Sequence, residues 1–163
     1  MAWHKAYPHI PLRFFWDRKN ETEVCHIDDT LSFYPLDDHA FLKQMSGCRA
    51  YASTAGFESI CEAIYMGKPV LMVPAHIEQE CHAYDAMCAG AGIISTSFSL
   101  DRLLEFSSTF HPNRTFIFWA HNVNLLIEHL IREPEPTPQS LYTEKILQLF
   151  RRYKPVFYKY LNT

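Results

Sequence analysis

The chain has 163 residues, of which 48% are hydrophobic and 20% charged, a length and balance typical of one globular domain. The formal net charge of -3 and the isoelectric point near 6.3 exclude the strong basic field that attracts a protein to phosphate backbones, so we expect no nucleic-acid partner. No apolar run is long enough to cross a bilayer, and no signal-like segment opens the sequence. These features predict a cytoplasmic protein.

The five cysteines and nine histidines could in principle form disulfides or a metal site. The cysteine number is odd, the spacing is irregular and no C-x-x-C pair occurs, so we interpret the cysteines as buried reduced thiols. No histidine spacing brings three ligands together with a carboxylate. We therefore expect no metal site.

The first part of the chain predicts strands that alternate with helices. The segment IPLRFFW at residues 10–16 is apolar and aromatic enough for a strand, and residues 31–34 predict a second strand. Pro35 ends that strand, and either Asp37 or Asp38 can cap the helix that follows.

The same alternation continues through the middle of the chain. Residues 50–53 predict a third strand, and residues 56–66 predict a helix that Gly67 ends. Residues 70–73 are a continuous apolar run between two prolines, which is typical of a buried parallel strand. Residues 78–89 predict the next helix.

A fifth strand is predicted at residues 93–95, followed by a helix that Ser99 opens and a longer helix at residues 115–131. Such alternation implies an α/β fold, a Rossmann-like parallel sheet with helices on both faces, in which ligands bind beyond the carboxyl ends of the strands. We assign residues 1–132 to this domain. Residues 133–163 are interpreted as a proline-containing connector and a C-terminal helix that packs on the same domain.

Polar residues stand at the junction between the third strand and its helix. Ser53, Thr54 and Gly56 lie there, so hydroxyls, backbone N–H groups and the positive helix end can converge on a diphosphate. Glu58 and Glu62 are four residues apart on that helix and share a face. One of these carboxylates could therefore accept hydrogen bonds from the vicinal hydroxyls of a ribose.

Glu78 and Gln79 follow the next strand after a short loop, and together they offer acceptors and donors for sugar hydroxyls. A purely structural interpretation stays open for each residue. Ser53 and Thr54 can simply cap a helix, and acidic residues such as Glu78 are favoured in any first helical turn.

These residues fit the spacing G-x-x-S-x-x-E-x4-G-x-P-x4-P-x3-[DE]-Q, which resembles the donor-site signature of UDP-dependent glycosyltransferases. The register is similar to that of plant secondary-product glycosyltransferases, and its central part also resembles the bacterial peptidoglycan GlcNAc transferase. The segments FFWDR, AGFESICEA and EQECHAYDA are similar to glycosyltransferases of gut bacteria. The matching positions are Gly56, Ser59, Glu62, Gly67, Pro69, Pro74, Glu78 and Gln79.

The resemblance implies the C-terminal, donor-binding half of a glycosyltransferase with two Rossmann-like domains (GT-B), with a nucleotide sugar, favoured as a UDP-sugar, as substrate and no other cofactor. It implies that Glu62 binds ribose and that Glu78 and Gln79 contact the donor sugar. Thr54 stands where the plant family has a diphosphate-binding histidine, and His82 stands where it has asparagine. The implied donor-binding residues are Ser53, Thr54, Gly56, Glu58, Ser59, Glu62, Glu78, Gln79 and His82.

The sequence departs from the family at its front, because no glycine precedes Gly47 and the first βα unit with its glycine-rich turn is not recognisable. We expect the chain to be inactive alone and to need an N-terminal acceptor domain or a partner subunit, which would supply the general base. Thr54 also occupies the position of the first of two glutamates found in retaining enzymes of this architecture, which favours inversion.

Two other functions stay open. A nucleotide-sugar epimerase fragment would share the architecture, and a non-catalytic binding module would explain the altered positions Thr54 and His82. The terminal segment RRYKPVFYKY alternates basic and aromatic residues. We interpret it mainly as packing, with contact to the inner face of the membrane as the alternative.

Overall fold

In a computed structural model of the protein, two three-stranded sheets and six helices make up the described part of the chain, residues 2–18 and 21–132. The chain divides into two compact units, one ending at Asn113 and one beginning at Arg114. The connector and C-terminal helix predicted for residues 133–163 lie outside the described residues.

The helices are α1 (Ala2–Ala6), α2 (Asp38–Gly47), α3 (Phe57–Tyr65), α4 (Ile77–Cys88), α5 (Leu100–Thr109) and α6 (Arg114–Arg132). The strands are β1 (Leu12–Trp16), β2 (Cys25–His26), β3 (Leu31–Pro35), β4 (Tyr51–Ser53), β5 (Val70–Met72) and β6 (Gly92–Ile94).

The first sheet has the order β1-β3-β2. Strands β1 and β3 are parallel, and aromatic side chains pair across them, with ring centroids of Phe14 and Phe33 5.1 Å apart and those of Phe15 and Tyr34 5.0 Å apart. Strand β2 runs antiparallel to β3. The sequence analysis missed β2 and helix α1, because elements of two and five residues are too short to show a periodic pattern.

The second sheet is entirely parallel, with the order β4-β5-β6. The central strand β5 is fully buried, as its uninterrupted apolar run predicts. Ser53 pairs with Met72, and Met72 pairs with Ile94, so the carboxyl ends of the three strands coincide. The predicted α/β alternation with a parallel sheet is confirmed. The carboxyl edge of this sheet is where a ligand is expected to bind.

Side chains fix both ends of helix α2. The Asp37 carboxylate caps α2 by accepting from the Ala40 amide over 2.7 Å, so Asp37 and not Asp38 is the cap. The ammonium group of Lys68 donates to the carbonyls of Ser46 and Cys48 at the other end of α2, over 2.7 and 2.9 Å.

Helix α1 is tied to two distant parts of its unit. The indole of Trp3 donates to the Asp101 carboxylate on α5 over 2.9 Å. His4 is buried, with 6% of its surface exposed, and its Nε2 lies 2.9 Å from the Asp28 carboxylate in the turn between β2 and β3. These two contacts explain how a helix of five residues keeps its place.

None of the five cysteines forms a disulfide bond. Cys25, Cys81 and Cys88 are exposed and Cys48 and Cys61 are half-buried, so the prediction that the thiols are buried is wrong for the first three. Among residues 2–18 and 21–132, no helix is long and apolar enough to cross a membrane.

Candidate functional site

The candidate site lies at the carboxyl end of the parallel sheet. Hydrogen bonds continue past the strands there, from the Val73 amide to the Ser53 carbonyl over 2.8 Å and from the Ser95 amide to the Met72 carbonyl over 2.9 Å. The three loops that follow therefore start from one edge. This is the edge at which open α/β sheets present their ligands.

The turn between β4 and α3 is held in an uncommon backbone conformation. Ala55 has a φ of 71°, is fully buried, and donates its amide to the Ser53 hydroxyl oxygen over 3.1 Å. The Ser59 hydroxyl in the first turn of α3 donates to the Gly56 carbonyl over 3.1 Å. Ser53 and Ser59 thus both shape this turn.

Gly56 occupies the cap position directly before α3 and provides no capping side chain, unlike Asp37 before α2. The first N–H groups of any helix lack acceptors within the helix, and Gly56 has no side chain that could accept hydrogen bonds from them. The start of α3 therefore offers backbone donors and a positive helix end at the edge of the sheet. Thr54 is exposed beside it.

Gln79 joins this turn to the next loop. Its side-chain oxygen accepts from the Ala75 amide over 2.9 Å, and its Nε2 donates to the Thr54 hydroxyl over 3.5 Å. The second N–H of the Gln79 amide remains available to a ligand, since a primary amide carries two donors. Glu78 is exposed in the same first turn of α4.

Glu62 is half-buried on α3, one turn beyond the exposed Glu58. Burial raises the pKa of the Glu62 carboxyl above its usual range, and the neighbouring carboxylates of Glu58 and Asp38 raise it further. Asp38 belongs to the first turn of α2. The sequence analysis considered Asp38 only as a helix cap and missed its effect on Glu62, because that effect depends on how separate helices pack.

His82 lies on α4 against Phe57, with ring centroids 5.2 Å apart. The Nδ1 atom of His82 is buried and has no hydrogen-bond partner among the described residues. Phe57 is the first residue of α3, so His82 lies close to the uncapped helix start. The sequence analysis named His82 and missed Phe57, although an aromatic residue directly after Gly56 was a signal that could have found it.

A groove of about 550 Å³ lies along the same edge, between the end of β5 and the start of α5. The sequence analysis did not find it, because its members come from four separate segments. The groove is lined by Pro74, Glu80, Ile94, Ser95, Thr96 and Arg102.

No three His, Cys, Asp or Glu side chains in residues 2–18 and 21–132 come together as a metal-binding group. The polar groups at the sheet edge are instead hydroxyls, amides, carboxylates and helix N–H groups. Such a set is suited to a hydroxylated ligand that also carries an anionic group.

The sequence matches the profile of the family described as "Glycosyl transferase family 1" over residues 10–110, more than half of the chain. The chain belongs to glycosyl transferase family 1. The matched region contains β1 to β6, α2 to α5 and all the candidate donor-binding residues.

The fold of this glycosyl transferase family 1 domain is similar to a solved structure described as the glycotransferase of kitacinnamycin. The two share 17% sequence identity with a TM-score of 0.52, and the match covers 63% of this chain and 28% of that chain. The match supports the Rossmann-like fold, and this domain corresponds to only part of that longer chain. A comparison with curated proteins finds no match.

Proposed function

We propose that this chain is the nucleotide-sugar-binding portion of an inverting glycosyltransferase, with a UDP-sugar as donor, and that it works with an acceptor domain or partner subunit. The observation that carries the proposal is the uncapped start of α3 beside Thr54, with Glu62 farther along the same helix. Family membership supports transfer of a glycosyl group. The roles of individual residues are proposed from their geometry.

The donor diphosphate is proposed to bind at the start of α3. Backbone N–H groups at a helix start and the positive end of the helix dipole favour phosphate groups. The hydroxyls of Ser53 and Thr54 can donate to the same anion, while the Ser59 hydroxyl holds the Gly56 carbonyl in the turn. His82 beside Phe57 brings an imidazole nitrogen without a described partner. These groups would stabilise the leaving diphosphate without requiring a metal ion.

The ribose is proposed to bind through Glu62. Glu62 lies six positions after Gly56, which corresponds to a rise of about 9 Å along the helix axis. A half-buried carboxylate about 9 Å from the helix start can accept hydrogen bonds from both hydroxyls of a ribose whose diphosphate lies at that start. Glu58 and Asp38 increase the negative potential there, which favours a ligand that brings hydrogen-bond donors.

The donor sugar is proposed to contact Glu78 and Gln79. Gln79 is oriented by its bonds to Ala75 and Thr54, so its remaining N–H has a defined direction. The reaction would be attack of an acceptor hydroxyl on the anomeric carbon, with departure of the diphosphate. The general base would come from the acceptor domain or subunit, and Thr54 in place of a glutamate supports inversion.

Calorimetric titration of the chain with UDP, UDP-GlcNAc and dTDP-glucose tests the proposal. We expect saturable binding of UDP and UDP-GlcNAc. In Glu62→Gln the binding free energy should weaken by about 1–3 kcal/mol, or roughly fivefold to 150-fold in affinity, because a charged acceptor of two hydroxyls is lost.

Glu105→Gln is the matched control. Glu105 is exposed on α5, so this substitution removes the same charge at a position away from α3. Its affinity for UDP should equal that of the native chain. Equal losses in both variants would contradict a ribose contact by Glu62. A native chain that binds none of the three nucleotides would favour the non-catalytic module instead.

A further inference from the structure

The groove between β5 and α5 has polar chemistry that the proposed donor site does not use. Strand β5 lies between β4 and β6, so the groove lies on the side of β5 away from the β4–α3 turn. Two strand spacings separate the ends of β4 and β6, a distance of about 10 Å. A ligand in the groove would therefore be the neighbour of the donor sugar.

Arg102 supplies the positive charge of the groove. Its guanidinium donates one hydrogen bond, to the Ser95 hydroxyl oxygen over 3.3 Å, and it has no ion pair among the described residues. An arginine carries five N–H donors, so most of them remain for a ligand. The adjacent carboxylate, Asp101, is bound by the Trp3 indole.

Ser95 is oriented to donate to a ligand. Its hydroxyl oxygen accepts from Arg102 and from the Ser97 amide, over 3.3 and 3.4 Å. Because a hydroxyl has two lone pairs and one proton, these two bonds leave the proton as its remaining hydrogen-bonding capacity. Thr96 brings a second, exposed hydroxyl.

Glu80, from the first turn of α4, also lines the groove. A carboxylate repels a bare anion but accepts well from sugar hydroxyls. The groove thus combines a forked cation, two hydroxyls and a carboxylate. This combination fits a ring that carries several hydroxyls together with one anionic group.

We propose that the groove lined by Arg102, Ser95, Thr96 and Glu80 is the subsite for an acidic sugar of the acceptor, a hydroxylated ring that bears one carboxylate or phosphate. Arg102 binds the anionic group, Ser95 and Thr96 donate to it or to ring oxygens, and Glu80 accepts from ring hydroxyls. The acceptor role rests on the proposed glycosyltransferase function. The binding chemistry rests on the groove alone.

Nuclear magnetic resonance titration of the chain with glucuronate, glucose 6-phosphate and methyl glucoside tests this subsite. We expect the two acidic sugars to shift the backbone amide signals of Ser95 and Thr96 saturably, and the neutral glycoside to bind about tenfold more weakly or less. A preference between the two acidic probes distinguishes a carboxylate from a phosphate ligand.

Arg102→Gln should weaken binding of the acidic sugars about tenfold or more and leave UDP binding unchanged. Arg49→Gln removes the same charge from an exposed arginine that precedes β4 at the opposite end of the sheet, and it should leave both affinities unchanged. Overall amide spectra establish that both variants fold.

Three results would overturn the subsite: no binding of either acidic sugar, equal binding of methyl glucoside, or native affinity in Arg102→Gln. If the acidic sugars bind as expected but no nucleotide binds, the proposed donor function fails and the acidic-sugar subsite stands. If nucleotides bind and the acidic sugars do not, the donor function stands and the subsite is wrong.

Discussion

Gln79 and Thr54, 25 residues apart in the chain, meet at the edge of the parallel sheet, where the Gln79 Nε2 donates to the Thr54 hydroxyl over 3.5 Å. The Gln79 oxygen accepts from the Ala75 amide at the same time, over 2.9 Å. One side chain therefore connects the loop after β5 to the turn after β4. The proposed sugar contact and the proposed diphosphate contact are joined by this amide.

Gln79→Leu should weaken UDP-GlcNAc binding more than UDP binding. Leucine has a similar volume but cannot form hydrogen bonds with Ala75, Thr54 or a sugar hydroxyl. The lost binding energy therefore comes mainly from the sugar part of the ligand. We expect a loss of about 1–2 kcal/mol for UDP-GlcNAc and less for UDP, measured by calorimetry. Equal losses for both ligands would show that Gln79 acts only on the shape of the loop.

Gly56→Ala should impair binding without impairing the fold. A methyl group at Gly56 would lie 3.6 Å from the Ser59 Oγ, which is ordinary contact, and the backbone there has no positive φ. We expect less than about 1 kcal/mol of lost stability in urea unfolding. A ligand diphosphate close to the backbone would meet the new methyl, so UDP affinity should fall.

Gly92→Ala is the structural counterpart of that variant. A Cβ at Gly92 would lie 2.6 Å from the Val70 carbonyl oxygen and 2.7 Å from the Met72 Cε inside the sheet. Overpacking of this kind should cost about 1–3 kcal/mol of unfolding free energy.

If Gly56→Ala binds UDP with native affinity, the proposed approach of a diphosphate to the turn between β4 and α3 is wrong.

Glu62→Gln should stabilise the fold at neutral pH although it weakens nucleotide binding. The pKa of Glu62 is raised by burial and by Glu58 and Asp38, so the folded state holds its proton more tightly than the unfolded chain does. Ionisation therefore opposes folding above the unfolded pKa of about 4.5, and this penalty is absent below it.

Thermal unfolding measured between pH 4 and pH 8 tests whether Glu62→Gln raises or lowers the stability of the fold. The melting temperature of Glu62→Gln should exceed that of the native chain at pH 7, and the difference should shrink toward pH 4. A variant that is less stable than the native chain at pH 7 would show that the Glu62 carboxylate holds the helices together. It would then have a structural role at this position.

The sequence predicts well what depends on local pattern. The apolar run of β5 between two prolines and the glycine that ends α3 both have their cause within a few residues, and both are found as predicted. The electrostatic effect of Asp38 on Glu62 and the bond from Arg102 to Ser95 depend on how separate elements pack. Periodicity carries no information about such distances, so the groove and the acidic neighbour of Glu62 emerged only from the structure.

Asp28→Asn should destabilise the protein at neutral pH, and the effect should diminish in acid. The Asp28 carboxylate accepts from the Thr30 amide over 2.8 Å and lies 2.9 Å from the buried His4. These contacts, with the Thr30 amide contributing most, hold the pKa of Asp28 well below its ordinary value of 3.8. Asparagine can keep the amide contacts but loses the charge beside His4.

Because the folded pKa is lowered, the carboxylate stabilises the fold above the unfolded pKa of about 3.8, and this stability is lost progressively as the pH falls from that value through the much lower folded pKa. Urea unfolding at pH 7 should therefore give a lower midpoint for Asp28→Asn than for the native chain, and the gap between the two midpoints should begin to narrow below about pH 4. The neighbouring Asp29 is exposed and has no described bond, so Asp29→Asn is the control and should match the native chain throughout. A constant gap between Asp28→Asn and the native chain from pH 7 to pH 3 would mean that the geometry of the turn, and not the charge of Asp28, anchors helix α1.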